Sequence, residues 1–272
     1  MSTPAPLTAY RPVPPSVFGL GRSRRLIERN VLAVRKAWWV FLSGLGEPVF
    51  YLLSIGIGIG KLVGGIPGPD HSIIPYAAYA APALLASSAM NGSVIESTYN
   101  VYFKLKYTRV YDAMLSSPME ASDVARGDII TALGRGSAYA AAFVVMMAAL
   151  GDIRSWWAVF ALPGAVLVGF AFSAMGMALT TYMRGWPDFE FVNLALLPLF
   201  LFSTTFYPLS VYPRWLQIVV ECTPLYHGVA MLRSLTLGYV GFADIGHAAY
   251  LAVMGIIGFR IAARRIQMLL LS

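Results

Sequence analysis

The chain is short of charge, has a single cysteine and carries only three histidines. Asp, Glu, Lys and Arg make up 12% of its 272 residues, about half the share of an ordinary soluble domain. That leaves too little polar surface to solvate a globule. With 58% hydrophobic residues and a mean hydropathy of +0.66, lipid is the expected solvent. Cys222 alone excludes an intrachain disulfide and a cysteine-based metal site. His71, His227 and His247 are scattered in the sequence, and each reads as an interface residue rather than a metal ligand or base. No ladder of acidic groups runs through the apolar stretches, which counts against proton- or sodium-coupled transport.

Two apparent chemical motifs fail on spacing. Gly56, Gly58 and Gly60 precede Lys61, but Ile55 and Leu62 stand where a phosphate-binding loop needs glycine and Ser/Thr. Glycines in an apolar run serve helix packing instead. Asp112, Asp123 and Asp128 lack the spacing of metal ligands in an intramembrane transferase. The expectation is a chain with no catalytic residue, no metal and no cofactor of its own. The formal net charge is +7, yet the cations lie between apolar runs rather than on one soluble face, so nucleic acid is not an expected partner.

What is present fits an all-α integral membrane protein with six transmembrane helices. Each crossing needs roughly 20 apolar residues, and the runs fall near 48–63, 73–100, 124–150, 156–183, 191–207 and 245–268. Residues 1–21 form a flexible proline-rich tail, with no cleaved signal peptide, and 22–272 form the membrane domain. Within 22–42, Ile27, Val31, Val34 and Trp38 share a helical face while Arg25, Arg29 and Lys36 fall opposite. This predicts a basic interfacial helix; the alternative is an extension of the first crossing. The second run is rich in alanine and serine, which lets helices approach closely in lipid. Glu47-Pro48 suits a helix start, and Glu96 lies near the same boundary with its role left open.

Cations concentrate in the N-terminal region, in 104–135, at Arg184 and at Arg260, Arg264 and Arg265; the other side holds only Lys61, Arg154, Arg214 and Arg233. Both termini are therefore expected in the cytoplasm. Two connections stand out. In 103–117, Phe103, Tyr107, Val110, Tyr111 and Met114 recur at helical spacing, with Lys106, Arg109 and Asp112 facing away, before Pro118. The spacing predicts an amphipathic helix on the cytoplasmic surface, either floating on headgroups or docking a cytoplasmic protein. On the outer side, 207–237 holds two apolar pieces too short to span, punctuated by Pro208, Pro213 and Pro224 with Glu221 between the pieces. A re-entrant hairpin fits, tolerated where protein or water covers its backbone.

From these residues the chain resembles the permease subunits of ABC-2 type ABC exporters, and within them the nodulation-factor (lipo-oligosaccharide) and daunorubicin-resistance permeases. The resemblance rests on GLGEPVFYLLSIGIGIG, on YAAPALLASSAMNGSVIESTYNVYFKLKYTRVYDAMLSSPM and on FSTTFYPLSVYPRWLQIVVECTPLYHGVAMLRSL. In the last block the family's Pro-Trp-Leu-Gln stretch becomes Pro213, displaced by Arg214, then Trp215, Leu216 and Gln217; Pro224, Leu225 and Arg233 follow. The resemblance implies a permease that dimerises with a second copy or a paralogue in the bacterial inner membrane. It also implies two separate ATPase subunits that bind the ATP and magnesium and grip 103–117 as a coupling helix. The outer hairpin would cap the exit. The expected cargo is an amphiphile such as a lipo-oligosaccharide, a lipid-linked glycan or a lipophilic drug, with Phe170, Phe172, Phe200, Phe202 and Phe206 lining a path or simply packing. The rival expectation is a membrane assembly or scaffold protein without transport of its own.

Overall fold

The structure, a computed structural model, describes residues 50–54, 58–68, 73–107 and 121–271. The predicted interfacial helix (Arg25, Arg29, Lys36, Trp38) and Arg109, Val110, Tyr111, Asp112 and Met114 lie outside the described residues. A short α1 (Gly60–Val63) leads into β1 (Gly65–Pro67), which pairs antiparallel with β2 (Ile73–Pro75). The sequence reading did not anticipate this two-stranded ribbon. It arises where Gly64 turns the chain at φ 73°, a conformation that side chains disfavour.

Next come α2 (Tyr76–Ile95), α3 (Ala121–Leu150), α4 (Ala161–Thr180), α5 (Asp188–Phe202), α6 (Arg214–Glu221), α7 (Pro224–Leu237) and α8 (Phe242–Leu271). Among the described residues, three stretches are long and apolar enough to cross a bilayer: Arg126–Leu150, Trp156–Thr180 and Phe242–Leu269. α2 is as long as a crossing needs, but its tyrosines, serines, Pro82 and Asn91 lower its hydropathy. It can be small-sided because it is enclosed by protein: Ala78, Ala80, Ala81, Ala83 and Ala86 are all buried. α5 has 15 residues, roughly 22 Å at the helical rise, and ends short of the predicted residue 207.

α4 is the central helix, touching α2, α3, α7 and α8. The main core joins Leu85 and Met90 of α2, Val168 and Phe172 of α4, Leu232 of α7 and Leu251 of α8. A second core at one end joins Val101, Ile129, Met177 and Ile266. α4 and α8 come so close that a Cβ on Gly258 would stand 2.8 Å from the backbone carbonyl carbon of Ala174. Small residues at a crossing give this approach, and van der Waals contact between backbones then replaces the hydrophobic drive that lipid does not supply. The outer surface is correspondingly greasy, with Val145, Leu194, Ile245 and Val253 all more than half exposed.

The bundle has two distinguishable ends. The basic end carries Lys104, Arg184, Arg260, Arg264 and Arg265. The opposite end carries the ribbon and the α6–α7 pair, and is termed the hairpin end.

Candidate functional sites at the two ends of the bundle

At the basic end, α2 does not stop at Ile95 but continues through π-helical turns at Glu96–Asn100 and Phe103–Tyr107. The hydroxyls of Ser97 and Thr98 both donate to the Val94 carbonyl, at 3.3 and 2.6 Å, and compete there with the regular helical bond. The widened turns aim Tyr99, Tyr102, Phe103 and Tyr107 at the connection between α4 and α5. There they meet Trp186 and Phe189. Tyr99 stacks on Phe189 at 4.3 Å, Tyr102 meets it edge-on at 5.1 Å, and Phe103 meets Trp186 at 5.6 Å. The indole N–H of Trp186 donates to the Tyr107 hydroxyl at 2.9 Å, and the Tyr102 hydroxyl donates to the Arg184 carbonyl at 3.4 Å.

The connection is itself held rigid. The Asp188 carboxylate accepts the backbone N–H of Arg184 at 2.6 Å and of Gly185 at 3.3 Å, placing a negative charge on the positive end of α5. Lys104 is anchored to Asp128 of α3 at 2.6 Å. Phe103, Tyr107 and Trp186 remain 42%, 56% and 46% exposed, and Lys106 is exposed. The result is a partly open aromatic seat, with cations beside it, at the start of the predicted coupling segment. Sequence periodicity placed Phe103 and Tyr107 on one face. It missed Trp186 and Phe189, 79 or more residues away from Tyr107, whose only signal was a Trp-Pro-Asp run at a crossing boundary.

At the hairpin end, Pro213 precedes the first turn of α6 and Pro224 occupies the first turn of α7, where a missing N–H costs nothing. Trp215 is 67% exposed. Arg214 donates to Gln217 at 3.2 Å, and Gln217 donates to the Tyr212 carbonyl at 2.8 Å, which fixes the turn into α6. Arg233 is the anchor. Its Nε donates to the Tyr79 carbonyl at 3.2 Å, and its second and first Nη donate to the Thr204 carbonyl and hydroxyl at 2.8 and 3.4 Å. The Tyr79 ring lies beneath the guanidinium. Tyr79 and Tyr76 in turn donate to the carbonyls of Thr204 and Phe206, at 3.3 and 3.2 Å. A cavity of about 450 Å³ opens beside this cluster, lined by Ile66, Tyr79, Thr204, Tyr226, Arg233 and Tyr239 among others.

The turn after α7, with Gly238 at φ 95°, brings α8 back against α7. Two histidines that are scattered in sequence thereby meet, with His227 and His247 sharing a hydrogen bond between Nδ1 atoms at 2.7 Å. Burial lowers the pKa of His227 and His247 lowers it further, against the raising effect of Glu221. In the loop after α3, burial raises the Asp152 carboxyl while Arg154 pulls it down. Among the described residues there is no group of three or more metal-ligating side chains.

The five phenylalanines of the predicted path are dispersed. Phe172 lines a large apolar groove with α5. Phe170 is pressed onto Gly255 of α8. Phe200 lies between Tyr51 at 6.5 Å and Phe206 at 5.3 Å, while the exposed Phe202 lies 6.2 Å from Tyr212.

Compared with known proteins, residues 23–237 match the ABC-2 type transporter family. Nodulation protein J of Sinorhizobium fredii is 30% identical over 247 residues, covering 90% of this chain and 92% of that protein. Nodulation protein J of Rhizobium leguminosarum bv. trifolii is 29% identical over 233 residues, covering 85% and 87%. The protein of the same name from Rhizobium meliloti is 29% identical over 212 residues, covering 77% and 79%.

Proposed function

Because the chain belongs to the ABC-2 type transporter family, we propose that it is the membrane-spanning permease subunit of an ATP-driven exporter moving an amphiphile out of the cytoplasm or inner leaflet. The observation that carries this reading is the aromatic seat at the basic end. Phe103 and Tyr107 begin the segment 103–117, and the Trp186 connection braces them while leaving all three rings partly exposed. A rigid, half-open aromatic surface flanked by Lys106 is suited to a groove on a partner, since aromatic anchors carry much of an interface's energy.

In this reading the basic end is cytoplasmic. Two separate ATPase subunits bind ATP and magnesium and hold 103–117, with Lys106, Arg109, Val110, Tyr111, Asp112 and Met114 completing the contact. Closure of the ATPase pair pulls on this segment. The π-turns join it without interruption to α2, so the pull reaches the core as a rigid-body movement. The six crossings comprise the three long spans together with α2, α5 and a first crossing near 48–63, and the bare face of α5 meets a second permease copy or a paralogue. The α6–α7 pair is a re-entrant hairpin capping the exit, pinned by Arg233. The cargo is a lipo-oligosaccharide, a lipid-linked glycan or a lipophilic drug; the nodulation proteins among the relatives support the first.

The test is co-purification with a co-expressed ABC ATPase encoded beside this chain. Tyr107→Asp and Met114→Asp each place a carboxylate in the proposed contact. The expected result is loss of the ATPase from the complex, or loss of permease-stimulated ATP hydrolysis. If binding and stimulation both survive both changes, the docking assignment is wrong.

A further inference from the structure

A groove of about 800 Å³ runs between α4 and α5, within the size range of sites that enclose small organic ligands. Two helical stripes face each other across it: Phe172, Met175 and Leu179 on α4, and Val192, Ala195 and Leu199 on α5. Met254 and Pro224 close its far end. From Asp188 to Leu199 the groove follows α5 for roughly 16 Å at the helical rise. That is about half the ~30 Å hydrocarbon thickness, the depth of one leaflet.

Its mouth is different in character. Tyr182, Arg184 and Asp188 line it. The Asp188 carboxylate is engaged by the backbone N–H groups of Arg184 and Gly185 in the connection before α5. Exposed Glu190 does not line the groove. Arg265 of α8 lies over the Tyr182 ring at 4.3 Å, and its Nε is buried without a hydrogen-bond partner among the described residues. A buried guanidinium nitrogen left unpaired is costly. Arg265 does not itself line the groove; it adds positive charge beside the mouth through its place over the Tyr182 ring.

From the apolar slot of one-leaflet depth and the cationic mouth, we infer that this groove holds the acyl chain of an anionic phospholipid, its phosphate bound by Arg184 with the charge of Arg265 beside it. Guanidinium groups match phosphate oxygens in geometry and charge, and basic pockets between membrane helices collect anionic headgroups. The mouth shares the Arg184–Asp188 connection with the aromatic seat, but its test needs neither nucleotide nor ATPase. It therefore fails or stands independently of the coupling assignment.

The full chain is reconstituted in nanodiscs containing phosphatidylglycerol with a diazirine at mid-chain, or phosphatidylcholine with the same chain, and photolabelled sites are mapped by mass spectrometry. Labelling of the Met175 and Leu199 peptides is expected to be several-fold stronger with phosphatidylglycerol. Ala195→Trp, which fills the groove, should lower it several-fold, whereas Val145→Trp on the exposed face of α3 should not. The pair Arg184→Gln and Arg265→Gln should bring the phosphatidylglycerol signal down to the phosphatidylcholine level. Unchanged labelling in a folded Ala195→Trp protein, or equal labelling by both lipids in the native chain, overturns the proposal. So does efficient disulfide formation between two copies of Leu179→Cys in a Cys222→Ser background, which would give the groove to a protein interface.

Discussion

The guanidinium carbon of Arg233 lies 3.7 Å from the centre of the Tyr79 ring, while its Nη2 donates to the Thr204 carbonyl at 2.8 Å. That carbonyl is available because α5 ends at Phe202 and Thr204 takes a left-handed conformation at φ 61°. Carbonyls at a helix end need donors from elsewhere, and here one arginine from α7 and one tyrosine from α2 supply them. Among the described residues no carboxylate pairs with Arg233. Its charge is met by carbonyl dipoles and a ring face, and three elements meet at one side chain.

The first prediction follows from that geometry. Arg233→Lys keeps the charge but cannot reach the Tyr79 and Thr204 carbonyls together or lie flat on the ring. A loss of roughly 1–3 kcal/mol is expected from the missing charge-assisted bonds, read as a lower thermal unfolding midpoint in detergent. An unchanged midpoint would mean that the hairpin is held by other contacts.

The α4–α8 crossing gives the second. At Gly258 a side chain would run into the backbone of Ala174 and Met175, while a Cβ on Gly246 of the same helix meets nothing within 4 Å. Gly258→Leu should therefore destabilise by at least the ~1–3 kcal/mol typical of overpacking, because backbone cannot swing aside. Gly246→Leu should be nearly neutral. Thermal unfolding of both variants compares them directly, and similar losses would contradict the close crossing.

The sequence made the long crossings legible because lipid demands continuous apolar runs, and the Pro213 and Pro224 punctuation fell where α6 and α7 start. Phe103 and Tyr107 were readable as a pair because they are four residues apart on a helix. Trp186 was not, since nothing local records which loop a distant turn will meet. The same reason hid the His227–His247 contact, which depends on the Gly238 turn folding α8 against α7. The ribbon at β1 and β2 was missed because three-residue strands leave no periodicity to detect. Arg233 was singled out through the resemblance; its partners, two backbone carbonyls, the Thr204 hydroxyl and the Tyr79 ring, leave no local signal in the sequence.

Sidedness yields a third prediction. Cys222 is the only cysteine and is exposed at the hairpin end. If that end faces outward, a membrane-impermeant maleimide should label Cys222 on intact cells. In a Cys222→Ser background, Lys106→Cys should react only after permeabilisation. The opposite pattern would invert the proposed orientation and remove the aromatic seat from the side where the proposed ATPase would dock.

The histidine pair supplies the fourth. At 2.7 Å between Nδ1 atoms, one ring must donate and the other accept, so the contact fails once both rings are protonated. His227 also faces Glu221, Tyr226 and Tyr250, but burial and His247 together lower its pKa from 6.5. The folded chain then binds fewer protons at this site than the unfolded chain does. Stability is present above the unfolded value and is lost as pH falls below about 6.5, levelling off only beneath the lowered folded value. Unfolding midpoints measured between about pH 5 and 8, where histidine titrates, should fall toward the acid side. His227→Gln retains polarity without titrating, and it should flatten that slope while leaving the neutral-pH midpoint nearly in place. A variant with the native slope would show that the acid sensitivity originates elsewhere, and the α7–α8 contact would then be merely a neutral packing contact.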